Sequence, residues 1–250
     1  MRPHLAVALT SVFAMTLLVR SAGPAPPAPA TAVASKDHDS FWLWAGVRPQ
    51  PALAGARRIY LLQGEIASRP PVQLVAQRQA LPRIAHADVW MVVRVETLRW
   101  PDGVHDQLLA QLERWRENGN RLVGLQIDFD ARTRHLHEYA EFLAGLRRRL
   151  PESYRLSVTG LLDWSANGDP AGLDALAGIV DEVVLQIYQG RRVIPGYGAY
   201  LGQLDRMKVP FRIGLLQGGE WRPPQDLERN PMFRGYVVFL LNDSADDQKL

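Results

Sequence analysis

Val123-Gly124-Leu125-Gln126-Ile127-Asp128-Phe129-Asp130 lies at the middle of a 250-residue chain, and from Leu125 onward it alternates apolar and polar side chains. Successive side chains of a strand point to opposite faces. Gln126, Asp128 and Asp130 therefore share one face, and Leu125, Ile127 and Phe129 share the other. The apolar face calls for a layer of helices. The polar face then looks onto a barrel axis and climbs toward its mouth. Two carboxylates two residues apart in such a channel repel each other, which predicts a raised pKa for at least one of them and so a general acid near neutral pH. A structural role competes with this one: Asp130 as the cap of the next helix, and Asp128 as acceptor for backbone or arginine donors. Thr133 is the better cap candidate.

On either side of this octet, short β-branched or aromatic runs recur at even intervals: Phe41–Gly46, Arg58–Glu65, Asp88–Glu96, Leu122–Asp130, Arg155–Trp164, Glu182–Gln189, Phe211–Gln217 and Gly235–Leu241. Between them lie stretches with helical spacing. Leu108, Leu109, Leu112 and Trp115 share a face in 104–118. Leu136, Tyr139, Phe142, Leu143 and Leu146 share one in 133–150, which Pro151 stops. Shorter helices are expected over 170–178 and 198–207. Strands alternating with helices build parallel sheets, and eight of them predict an α/β fold of the (β/α)8 TIM-barrel type, with an open doubly wound sheet as the alternative. Connections two-to-three and seven-to-eight are short and Pro-rich, so a barrel with missing helices is expected.

The residues around the octet carry a resemblance. Val123–Asp130 is similar to the fourth-strand signature of glycoside hydrolase family 18, the chitinase-like barrels, which reads D-G-x-D-x-D-x-E; Gly124 and Asp128 match it. Val123 and Gln126 stand at aspartate positions, and Asp130 stands at that of the catalytic glutamate. Tyr188, in Gln186-Ile187-Tyr188-Gln189, matches a second element of that family, M-x-Y-D. The wider set, with Ser157-Val158-Thr159-Gly160-Leu161, Trp164 and Asp181-Glu182-Val183-Val184, resembles an uncharacterised bacterial family, number 3142 among domains of unknown function. The resemblance implies a sugar-hydrolase-like barrel with Asp130 as proton donor and Asp128 tuning it or orienting the substrate. It further implies hydrogen bonds from Gln126, Gln186 and Tyr188, and a sugar platform at Trp164. Asp130 is one methylene shorter than the family's glutamate, which sets its carboxyl back by about 1.5 Å.

Other strand ends offer partners for an oligosaccharide or polysaccharide: Glu65, Arg94 with Glu96, Asp163, and Glu220 in a glycine-rich loop. Trp44, Trp100, Trp164 and Trp221 fall near strand ends, where aromatic faces suit sugar rings. Asp130 with Glu220 would make a retaining pair if their carboxyls stood about 5–5.5 Å apart. No cofactor fingerprint, nucleophile elbow or metal-ligand spacing is present, and with no cysteine there is no thiolate chemistry or disulfide.

Of the net charge of +3, two positives are Arg2 and Arg20, in the first 34 residues, which contain no acid. The clusters Arg57-Arg58, Arg147-Arg148-Arg149 and Arg191-Arg192 are not interleaved with aromatics. They read as solvated helix faces and strand starts, so no nucleic-acid partner is expected. Residues 1–22 have the pattern of a signal peptide, with an uncleaved membrane anchor as the rival reading. Cleavage is placed after Ala22 or Ala34. Residues 23–40 are expected as a Pro/Ala-rich linker and 41–250 as one barrel domain, periplasmic or secreted, or anchored at the inner membrane. Three functions are open at this point: a glycoside hydrolase, a non-catalytic carbohydrate-binding barrel, and an envelope assembly protein with a relict site. Acetamido sugars such as peptidoglycan or poly-N-acetylglucosamine are favoured by the resemblance alone. The oligomeric state is open.

Overall fold

The computed structural model describes residues 29–78, 80–164 and 170–242; the expected leader, 1–22, lies outside them. Eight parallel strands form the barrel: β1 (Ser40–Leu43), β2 (Arg58–Ile66), β3 (Asp88–Val95), β4 (Arg121–Asp128), β5 (Arg155–Leu161), β6 (Glu182–Gln186), β7 (Phe211–Leu216) and β8 (Phe233–Phe239). Each pairs with the next in sequence. The ring closes at β1, where Phe41 is opposite both Val238 of β8 and Ile59 of β2. Closure excludes the open doubly wound alternative.

Among the described residues, α-helices that follow strands include α1 (Asp102–Glu117), α2 (Leu136–Arg149), α3 (Pro170–Leu176) and α4 (Tyr197–Leu201). The first two bury the expected stripes, Leu108, Leu112 and Trp115 on α1 and Leu136, Tyr139, Leu143 and Leu146 on α2. Among the described residues the connections β1–β2, β2–β3 and β7–β8 hold no α-helix. Pro51–Gly55 is a 3-10 turn, and Leu74–Ala76 is a short strand antiparallel to the end of β2. After β7, Glu220–Trp221 pairs antiparallel with Thr31–Ala32. Val33 and Trp221 join the outer core, and Trp221 stacks on Tyr197 and meets the edge of Tyr236 on β8. This small ribbon covers the outer face that a helix after β7 would otherwise cover. Part of the stretch expected as a linker is therefore packed on the barrel.

The alternation read on β4 governs the interior. Gln126 and Asp128 are buried inside, while Leu125 and Ile127 join the core under the helices. The barrel's inner core is aromatic: Trp42, Tyr60, Trp90, Tyr188 and Phe239, with Leu62, Val92, Val184, Leu216 and Val237. Gly124 is required where β4 meets β5, since a Cβ there would sit 2.0 Å from the Arg155 carbonyl oxygen.

Candidate active site

β4 ends with Asp128 buried just below the mouth, and the chain leaves the sheet so that Asp130 stands at the rim with its side chain 64% exposed. Asp128 is only 3% exposed. Its Oδ1 accepts a 2.7 Å hydrogen bond from the Thr159 hydroxyl on β5, and its Oδ2 lies 3.4 Å from Nη1 of Arg94 on β3. The other arm of the same guanidinium, Nη2, is 3.7 Å from Asp130 Oδ2. Arg94 thus spans the two carboxylates, and it also lies over the Trp44 ring, 5.8 Å from its centroid. Burial pushes the Asp128 carboxyl up to about 6, outweighing the Thr159 hydroxyl and the Arg94 cation; Asp130 and Glu65 add to the rise.

Trp44, Arg94, Asp128 and Asp130 line a mouth cavity of about 510 Å³ together with Gln186, Tyr188 and Tyr200. Tyr188 packs on Phe239, and its buried hydroxyl has no hydrogen-bond partner among the described residues. Burial holds that phenol protonated, so it offers an O–H donor toward the cavity.

Of the expected site residues, Asp128, Asp130, Arg94, Gln186 and Tyr188 are brought together here. Others are placed elsewhere. Gln126 is fully buried beneath the mouth; its Oε1 accepts from the Trp42 indole at 2.7 Å and its amide donates to the Ser157 hydroxyl at 2.9 Å. Fully buried and bonded at both the oxygen and the nitrogen of its amide, it is a strut of the barrel interior, out of reach of a ligand at the mouth. Trp164 is wholly buried in the outer core, with its indole donating to the Ala131 carbonyl, so it is no sugar platform. It lies against Gly160, where a Cβ would approach its ring to 3.0 Å. Glu65 accepts from Gln77 and acts on Asp128 only through its charge. Glu96, exposed, is tied to the Ser68 backbone N–H and hydroxyl, which hold its carboxyl below the usual range. Glu220 lines a neighbouring cavity with Tyr197 and Arg222. The first turn of α2 carries no side-chain cap; Thr133 donates instead to Asp163.

Trp44 is the mouth's aromatic face, one of the four tryptophans expected near strand ends. Thr159 was missed as the direct partner of Asp128. Its signal was the polar alternation Ser157–Thr159 on β5, which pairing with β4 turns toward Gln126 and Asp128.

No curated protein matches the chain. Among solved structures, a form of the xylanase-A-amylase inhibitor protein, XAIP-III, is similar at 10% identity with a TM-score of 0.52, over 81% of this chain and 93% of that one. The chitinase domain of the spore coat protein CotE from Clostridium difficile is similar at 13% identity and a TM-score of 0.48, and the spore cortex-lytic enzyme SleL from Bacillus cereus at 16% and 0.45. Each is matched over 71% of this chain, which spans 65% of the first and 49% of the second. At 10% identity the likeness to XAIP-III is one of fold alone. Residues 87–207, which supply all of the mouth's lining except Trp44, match the family described as a domain of unknown function, DUF3142, the family that the strand-four to strand-six motifs resemble.

Proposed function

We propose that the protein is an exported glycoside hydrolase-like barrel that holds a polysaccharide segment across its mouth and protonates the glycosidic oxygen from the β4 carboxylate pair. The observation that carries this reading is the division of labour between the two acids. Asp128 keeps its proton to about pH 6, while Asp130 stands beside the Arg94 cation at the rim. Two carboxyl groups in environments that differ in this way supply an acid and a charged partner within one site. In the step proposed, the Asp128 proton passes to the leaving oxygen as the glycosidic C–O bond breaks, Asp130 faces the positive charge developing on the sugar, and water then adds to the anomeric carbon and gives its proton to the Asp128 carboxylate. Tyr188 and Gln186 offer hydrogen bonds, and Trp44 an apolar ring face. The placement of the proton thus shifts the acid role from Asp130, the family's position for it, to Asp128.

A second reading, saccharide binding without hydrolysis, is favoured by the recess of Asp128 and by the arginine held against Asp130. Both are tested by turnover of N-acetylated oligosaccharides across pH, with Asp128→Asn and Asp130→Asn alongside the wild type. The hydrolase reading expects activity that falls above about pH 6 and drops by about a hundredfold or more in Asp128→Asn. Equal rates in Asp128→Asn and wild type would overturn it. Saturable binding that is lost in Trp44→Ala, with no product from any variant, would establish the binding reading in its place.

A further inference from the structure

The opposite end of the barrel holds a larger cavity, about 1070 Å³, walled by the beginnings of the strands. Six cations line it: Lys36, Arg57, Arg58, Arg121, Arg212 and Arg234. The acids in the same wall are Asp37, Asp39 and Asp88. With Glu182, which lies behind the wall against Arg212, six cations face four acids, an excess of two positive charges.

Part of this cluster is explained by the barrel itself. Arg212 is paired with buried Glu182 at 2.6 Å, and Tyr60 donates to the same carboxylate. Arg121 meets Asp88 at 2.6 Å, and Arg57 approaches Asp39 at the surface. The remainder is unmatched. Among the described residues, Lys36, Arg58 and Arg234 have no carboxylate partner; Arg234 donates to the carbonyls of Pro231 and Phe233. Arg58 Nε is buried without a hydrogen-bond partner among the described residues. A guanidinium N–H shut away from water and left unpaired is costly, and an oxyanion beside it removes that cost.

We propose that this floor cavity binds a multivalent oxyanion of the oligophosphate type, with Arg58 at its base and Lys36 and Arg234 at its sides. Three cations without a carboxylate partner, set against the single carboxylate of Asp37, favour a compact ligand bearing several negative charges. Guanidinium forks match tetrahedral phosphoryl oxygens two at a time. A monocarboxylate brings a single charge, and a neutral sugar brings none. The site is separate from the mouth and does not depend on its function.

The test is calorimetric titration of the full chain with tripolyphosphate at neutral pH and low salt, with orthophosphate and acetate as comparators. Tripolyphosphate is expected to bind saturably, orthophosphate more weakly and acetate not at all. Arg58→Gln should lower tripolyphosphate affinity by about tenfold or more, the loss of one charged hydrogen bond. Lys36→Gln, at an exposed position where folding is not at stake, should lower it about threefold or more. Arg148→Gln, on the exposed face of α2, should leave it unchanged. No binding to the wild type overturns the proposal. An equal loss in Arg148→Gln and Arg58→Gln does so as well, since attraction would then follow net charge alone. Orthophosphate as tight as tripolyphosphate replaces the multivalent ligand with a single phosphate.

Discussion

At both ends of the barrel interior a buried carboxylate faces an arginine, yet the two pairs are built differently. At the floor, Glu182 and Arg212 are both about nine-tenths buried and 2.6 Å apart; Tyr60 fills the remaining carboxylate oxygen and the Arg234 carbonyl takes a further guanidinium N–H. At the mouth, Arg94 is 38% exposed, lies 3.4 Å from Asp128, and is shared with Asp130. The first pair is closed on itself and belongs to the architecture. The second keeps slack: a loosely held cation, a carboxyl that holds its proton up to about pH 6, and a phenol with no partner among the described residues. Slack of that kind is what a ligand takes up, and it separates the site from the scaffold more clearly than the residue types do.

The comparison breaks most visibly at the floor. Arg212→Met should leave Glu182 buried and unpaired, and should lower the free energy of urea unfolding by about 3–5 kcal/mol. A loss below about 1 kcal/mol would mean that the floor pair is as loose as the mouth pair. The next effect concerns pH. Asp128 binds its proton more tightly folded, at about 6, than unfolded, at 3.8. The native state is thus favoured by acid: this contribution is full below about pH 4 and is lost as pH rises through about 6. The shift corresponds to about 3 kcal/mol. Unfolding curves at pH 4 and pH 7 should differ by that order from this group, and Asp128→Asn should flatten the difference. A variant with the wild-type slope would place the titration elsewhere. The smallest effect is that of Arg94→Met. At pH 5, where Asp128 holds its proton, stability should change by less than about 1 kcal/mol, as for an exposed pair, while saccharide affinity at the mouth falls.

Much of the architecture was legible because alternation is a local property. The run from Leu125 to Asp130 reveals which face of β4 is polar, and the stripes of α1 and α2 reveal the layer outside. The Pro-rich connections after the second and seventh strands announced two of the missing helices; the one between β1 and β2 was not foreseen. What could not be read depends on partners far along the chain. Trp164 stands at a strand end like Trp44, but Gly160 opens a slot beneath it in the outer core, whereas Trp44 stays at the rim under Arg94. Gln126 looks like a ligand-binding side chain until β1 and β5 close around it with Trp42 and Ser157. Glu220 was drawn away from the mouth by its pairing with residues 31 and 32. The floor cations were invisible for the same reason. Arg57-Arg58 reads as a solvated strand start, and only closure brings it beside Arg121, Arg212 and Arg234.

The pairing of Phe41 with Val238 sets an order of events during folding. The two residues are roughly 200 positions apart, so the ring stays open until the last strand has been made, and joining its ends carries the largest loop-closure entropy of any contact in the sheet. The ribbon of residues 31 and 32 on Glu220–Trp221 has a similar span and waits on the same late segment. A nascent chain lacking its final strand therefore holds β1 with one edge unpaired and the aromatic interior open to water. Such a chain closes its ring only after β8 has been made, in one late step.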